Sequence, residues 1–325
     1  MYKRQPTLRV LSLDIETDLD AQTIFAIGLA GLGTDRVLIV GPGPLRGAEC
    51  FSDERALLQR FFALLDEVDP DVLTGWNVVD FDLSAIQRLC RKYGLPFRLG
   101  RTNEDATIQR DQGFTREARC LAPGRMVLDG LALVRGAFIR LDDYKLETAA
   151  QAFLGKGKLI TGEGRGHEIA HAFAHDRQKL VDYNQRDAEL VLEILAHQRL
   201  VELAITRSRL SGMQLDRVGA SIASIDFLYL AELRRRGRVA PSVVEHPNAM
   251  VAGGAVLDSV PGLFTNILVY DFKSLYPSII RTFNIDPLTY VPPSAVAADL
   301  DLILSLIHIS EPTRLRRISY AVFCL

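Results

Sequence analysis

An α/β fold with a mixed sheet is what this 325-residue sequence predicts, and three features carry the prediction. Val10 to Thr17 is an apolar, largely β-favouring run with two carboxylates near its end. Thr23 to Leu29 and Arg36 to Val40 read as two further strands, turned by Gly31, Gly33 and Asp35, which suggests an antiparallel meander. Beyond them, amphipathic helical stretches alternate with short apolar strands, the pattern of a sheet covered by helices. A chain of this length suggests two domains, or one domain and part of another.

Gly41-Pro42-Gly43-Pro44 ends the meander. A helix is expected from about Asp53 to Glu67. Ser52 is its N-cap, Asp53 and Glu54 suit the positive end of its dipole, and Leu57, Leu58, Phe61, Leu64 and Leu65 make one face. Asp69-Pro70 stops it, and Val72 to Trp76 is a short buried strand. A second helix, about Asp82 to Tyr93, turns Leu83, Ile86, Leu89 and Cys90 inward and is capped by Gly94. Arg98 to Pro123 is polar and irregular, a surface hairpin or loop. Met126 to Leu128 is a strand leading into Asp129, and Leu146 to Leu154 is a short helix ended by Gly155. Gly155 to Gly166 reads as a flexible loop. One long helix is expected over about Arg177 to Arg207, and Leu215 to Arg236 holds another. Arg238 to Gly254 is a linker. Ile267 to Tyr270 is a strand ending on Asp271, and Ser274 to Ser278 is a turn into a new helix.

Bulk properties exclude several classes. The chain is 48% hydrophobic and 24% charged, as soluble globular proteins are. A net charge of −2 does not announce a nucleic-acid binder, so any such surface is local. Arg234, Arg235, Arg236 and Arg238 form one basic cluster, read as a solvated helix face. Cys50, Cys90, Cys120 and Cys324 are scattered with no C-x-x-C pair, which fits a reducing cytoplasm. The run after Lys3 and Arg4 is interrupted by Arg9 and Asp14, so it is no signal peptide, and no stretch is apolar enough to span a membrane.

Three separated pieces carry chemistry. Asp14 and Glu16 lie two apart on a strand, so they project from one face and repel unless a cation sits between them. Asn77-Val78-Val79-Asp80-Phe81-Asp82 sets Asp82 at a helix start. Tyr183 and Asp187 are four apart on a late helix and share a face. Four carboxylates from three segments suit two hard cations, Mg²⁺ or Mn²⁺, which clamp the attacking and leaving oxygens of a phosphodiester. Tyr183 would orient the attacking water.

In order and context these pieces resemble the motifs of the 3′–5′ proofreading exonucleases: D-x-E, N-x(2,3)-[FY]-D and Y-x-x-x-D. The resemblance makes Asp82 a ligand and Asp80 a bystander. Gly75-Trp76-Asn77, Leu146-Glu147-Thr148 with Gly155, and above all the run from Asp271 to Ile280 (DFKSLYPSII) resemble the family B DNA polymerases. Pro261-Gly262-Leu263, Arg281-Thr282-Phe283 and Asp286-Pro287 look most like bacterial members. The resemblance covers about residues 8 to 291. It implies a ribonuclease H-like exonuclease domain over 1–205, linker helices and the start of a palm over 206–303, and two Mg²⁺ or Mn²⁺ ions per site. It further implies that Asp271 binds the polymerase metals, that backbone amides of Ser274, Leu275 and Tyr276 touch the triphosphate, and that Tyr276 is the steric gate. The implied partners are a single-stranded 3′ end, primer-template DNA, deoxynucleoside triphosphates and a sliding clamp, in a bacterial cytoplasm.

The sequence departs from the family in places. Val251 stands where many members have the tyrosine of Y-x-G-G. Fingers, thumb and the second palm carboxylates are not found, and 304–325 reads as a non-native tail resembling a translated adapter. Two rival readings come from other classes. His167-Glu168-Ile169-Ala170-His171 matches the H-E-x-x-H zinc protease helix, with His175 a turn on and Glu189 or Glu193 as a third ligand. Its polar surroundings favour a solvated helix instead. A non-catalytic DNA-binding module would have lost its acids, and all four are present.

Overall fold

The computed structural model describes residues 7–110, 118–156, 165–217, 221–240, 261–270 and 274–283. The chain divides into two compact units, 1–239 and 240–325. The first holds a six-stranded mixed sheet built from β1 (Val10–Thr17), β2 (Ile24–Ala30), β3 (Arg36–Val40), β4 (Ala48–Phe51), β5 (Val72–Gly75) and β8 (Met126–Asp129). Its order is β4-β3-β2-β1-β5-β8. The β1–β2–β3 meander is antiparallel as expected, while β4, β5 and β8 join in parallel. β4 had no signal in the sequence: Ala48-Glu49-Cys50-Phe51 is short and half-buried, and its pairing with β3 creates it.

The strands alternate as a two-sided sheet requires. Leu11, Leu13 and Ile15 of β1 enter one core with α1 (Glu54–Val68) and α2 (Ser84–Tyr93). The opposite face carries α5 (Arg165–His175) and α6 (Arg177–His197), with Phe25, Val37 and Ile39 packed against Ile169, Leu180 and Val181. In α1 the five expected apolar residues are all buried, each worth about 1.5–3 kcal/mol. Its cap is Asp53 rather than Ser52: Asp53 Oδ1 accepts the Ala56 N–H at 2.8 Å, and Ser52 donates to the Asp53 carboxylate.

Several boundaries differ from expectation for local reasons. Before α2, Val79–Leu83 forms a π-turn, and α2 proper starts at Ser84. The irregular 98–123 segment contains a hairpin, β6 (Thr107–Gln109) with β7 (Arg119–Leu121), and its Leu99, Ala106 and Cys120 reach the core, as does Phe97 just before it. α3 (Gly130–Gly136) follows β8, and α4 (Leu146–Leu154) ends at Gly155 as expected. Residues 157–164 of the expected loop lie outside the described residues. The long helix breaks at Arg199, whose φ is +52°, and α7 (Leu200–Ser211) turns to bury Leu200 and Ala204. There Arg207 Nη1 donates to Gly136 O at 2.7 Å, a tertiary contact that no local signal announces. A 3-10 turn (Leu215–Arg217) precedes α8 (Ser221–Arg235), so that helix begins later than expected. Arg235 and Arg236 pair with Glu232 on its solvated side.

In the second unit, α9 (Leu275–Phe283) follows Ser274 as expected. Ile267–Tyr270 is not a strand. The four residues are exposed and pair with nothing among the described residues, so the propensity is there without a partner for the backbone. Asp271 and 304–325 lie outside the described residues.

Candidate active site

Ser12, Asp14 and Glu16 point to the face of β1 that α6 covers, while their neighbours point to the α1 and α2 core. α6 sits unusually close there. Asp14 lies opposite Gly28 on β2, and a Cβ on Gly28 would stand 2.7 Å from Asn184 O and 2.9 Å from Asn184 Oδ1. Only glycine admits α6 at that separation. The helix thereby lowers Asn184 and Asp187 onto the carboxylates of β1.

One carboxylate oxygen from each of Asp14, Glu16 and Asp187 lies within 4.8 Å of the other two. Glu16 is 3% exposed and Asp187 0%, so water cannot fully screen their repulsion. An all-oxygen donor set of this kind fits a hard divalent cation. Asn184 Nδ2 donates to Asp14 Oδ2 at 2.8 Å and to Asp14 O at 3.1 Å. Asn184 thus orients a carboxylate that a cation would use. Tyr183 is fully buried beside Phe25, Ala26 and Leu180.

Asp82 reaches the same region by another route. β1 and β5 pair only from Val10–Val72 to Ser12–Thr74, after which β5 leaves β1. The Asp82 carboxylate occupies the vacated edge: its Oδ1 accepts the Ile15 N–H at 2.9 Å. Asp82 stands beside the trio and not within it. Burial, and then the charge of Asp14, raise its carboxyl well above the usual range. The π-turn that carries it is closed by Leu83 N–H to Val78 O at 2.8 Å. Such turns concentrate at functional sites. Asp80 points elsewhere, pairing with Arg110 at 3.3 Å.

A fifth carboxylate, Asp129, went unread in the sequence as anything but a strand end. It caps α3 and accepts N–H bonds from Asn77, Val79, Leu131 and Ala132. Burial pushes its carboxyl up to about 6 against the pull of those donors. Neither Asn184 nor Asp129 belongs to a metal-type spacing, and both act through hydrogen bonds that only the fold creates.

The remaining expected residues fall elsewhere. Ser274 precedes α9 in the second unit and Leu275 and Tyr276 begin it, with Tyr276 79% exposed. His167, His171 and His175 lie on the exposed side of α5, and Glu168 pairs with Lys179 at 2.7 Å. Glu189 and Glu193, the third zinc ligands in that reading, both pair with Arg186. Among the described residues the acidic trio is the one group of three or more such ligands, and it contains no histidine.

Residues 32–149 match the family model of the DNA polymerase family B exonuclease domain, and residues 217–311 match that of DNA polymerase family B. DNA polymerase II of Escherichia coli strain K12 is 40% identical over 295 residues, which cover 88% of this chain and 37% of that protein. DNA polymerases of Thermococcus sp. strain 9oN-7 and Desulfurococcus sp. strain Tok are each 30% identical over 296 residues, covering 86% of this chain and 37% of those proteins. The chain spans little more than a third of the length of these curated relatives.

Proposed function

This chain belongs to the family B DNA polymerases, and we propose that its Asp14 cluster is a 3′–5′ exonuclease centre that removes nucleotides from a single-stranded 3′ end. The observation that carries the proposal is the convergence of Asp14, Glu16 and Asp187 from two elements onto one spot, with Asp82 beside them. Asp14, Glu16, Asp82 and Asp187 would hold two Mg²⁺ or Mn²⁺ ions. When bound, such ions activate water and neutralise charge developing on the phosphodiester oxygens. The chain's own residues supply the frame. Asn184 keeps one Asp14 oxygen engaged so that the carboxylate has a single orientation. The Ile15 N–H does the same for Asp82. The Tyr183 hydroxyl orients the attacking water.

The exonuclease domain comprises residues 1–205, with linker helices and the opening of a palm over 206–303. In the whole protein, Asp271 would bind the polymerase metals, the backbone at Ser274, Leu275 and Tyr276 would meet the triphosphate, and Tyr276 would exclude a ribose. The substrates are then primer-template DNA and deoxynucleoside triphosphates, in a bacterial cytoplasm. A sliding clamp is the expected processivity partner. No described helix is long and apolar enough to cross a membrane.

Digestion of a 3′-labelled single-stranded oligonucleotide tests the exonuclease reading. Activity is expected with Mg²⁺ or Mn²⁺, is lost on chelation and returns on adding either ion. Digestion that persists in chelator, or stoichiometric bound zinc removed by replacing His167 and His171, would contradict it.

A further inference from the structure

We propose that Asp129 is a positioning residue for Asp82: it ties the Asn77–Val79 backbone to the end of the neighbouring strand and so sets where the π-turn presents the Asp82 carboxylate. The inference rests on the exonuclease reading above. Gly75 and Asp129 are the last paired residues of two adjacent parallel strands. Beyond them the chains part, one into the π-turn and the other into α3. The separation is tight, since a Cβ on Gly130 would lie 3.0 Å from Gly75 O.

The two oxygens of Asp129 have different partners. Oδ1 accepts from Leu131 N at 2.9 Å and Ala132 N at 3.4 Å, which caps α3, and from Asn77 N at 3.2 Å. Oδ2 accepts from Val79 N at 3.3 Å. A cap alone needs Oδ1. The Val79 bond crosses to the other segment and lands on the first residue of the turn whose fourth residue is Asp82. Asn77, with φ of +59°, makes the reversal that this bond closes. The far end of the turn is fixed by the Asp82–Ile15 bond at 2.9 Å, so Asp129 and Ile15 hold the turn from opposite ends.

Because the oxygens are divided this way, one substitution separates cap from latch. Asp129→Asn keeps Oδ1 on its three N–H donors and turns an NH₂ toward the Val79 N–H, donor against donor. The flipped amide would set NH₂ against three donors instead. Asp129→Ser is a second variant that caps α3 through its hydroxyl and cannot bridge to Val79. Both are measured by amide hydrogen exchange at 77–83, by Mn²⁺ titration, by thermal melting and by digestion kinetics. For both, the expectation is faster exchange at Val79 and Mn²⁺ affinity and kcat lower by about 10–100-fold, the usual loss when an outer partner of a metal ligand goes. KM should stay near wild type, and Asp129→Asn should melt near the wild-type temperature. Wild-type Mn²⁺ affinity and kcat in both variants would overturn the proposal, as would unchanged exchange at Val79. Should the wild type neither digest DNA nor bind Mn²⁺, the exonuclease reading fails, and the exchange measurement still decides whether the latch exists.

Discussion

Asn184 and Tyr183 occupy adjacent positions on α6 and, in the proposed centre, divide two tasks. Asn184 bonds to Asp14 and would orient it as a metal ligand, whereas Tyr183 would contribute the hydroxyl of a buried ring. Tyr183→Phe removes that hydroxyl and keeps the four carboxylates and the packing. Digestion should slow by at least about 10²-fold, the scale of a lost acid–base contribution, with Mn²⁺ affinity nearly unchanged. A parallel collapse of Mn²⁺ affinity would make Tyr183 a structural residue. A strand period of two paired Asp14 with Glu16 in the sequence and a helix step of four paired Tyr183 with Asp187, whereas Asp82 was singled out by its resemblance to a family motif. The sequence could not reveal Asn184 or Asp129, whose partners lie 170 and about 50 residues away in the chain.

At the scale of elements, the site depends on how closely α6 rides over β2. Gly28→Ala would force a methyl against Asn184 O and Oδ1, and backbone there cannot yield as a flexible side chain would. Overpacking of this kind costs about 1–3 kcal/mol, and the displaced helix carries Asn184 and Asp187 with it. The expected result is a lower melting temperature together with weaker Mn²⁺ binding; a variant with both unchanged would show that the helix has slack. The meander, α1, α2 and α4 were legible from periodicity and end signals. β4, the break at Arg199 and the π-turn were not, because pairing with β3, burial of Leu200 and the Asp129 and Ile15 bonds are tertiary causes. The reverse error occurred at Ile267–Tyr270, where β-propensity had no described partner strand.

For the whole first unit, Arg101 links the end of α1 to the start of β5 through Asp69 at 2.6 Å and Asp71 at 2.8 Å. The Arg101 bond chiefly lowers the Asp69 carboxyl, and the Arg9 N–H, then Arg101, lower that of Asp71. Depressed carboxyls contribute stability above their unfolded value of about 4 and lose it as pH falls through the folded value. Arg101→Ala should therefore melt below wild type at pH 7, and the gap should narrow below about pH 4. A gap that widened in acid would contradict these pairs as its source. Fold class and family were legible here because the motifs recur in order along most of the chain.

Whether Asp14, Glu16, Asp82 and Asp187 form the proposed hydrolytic centre is decided by digestion of a single-stranded 3′ end by wild type and by Asp14→Ala in the same Mg²⁺ buffer. Loss of charge stabilisation at a developing transition state is worth about 10²–10³ in rate or more. The expected result is robust wild-type digestion and a variant that folds, melts normally and leaves the oligonucleotide intact. Equal digestion by Asp14→Ala protein, purified free of host nuclease, would show that Asp14 belongs to no such centre.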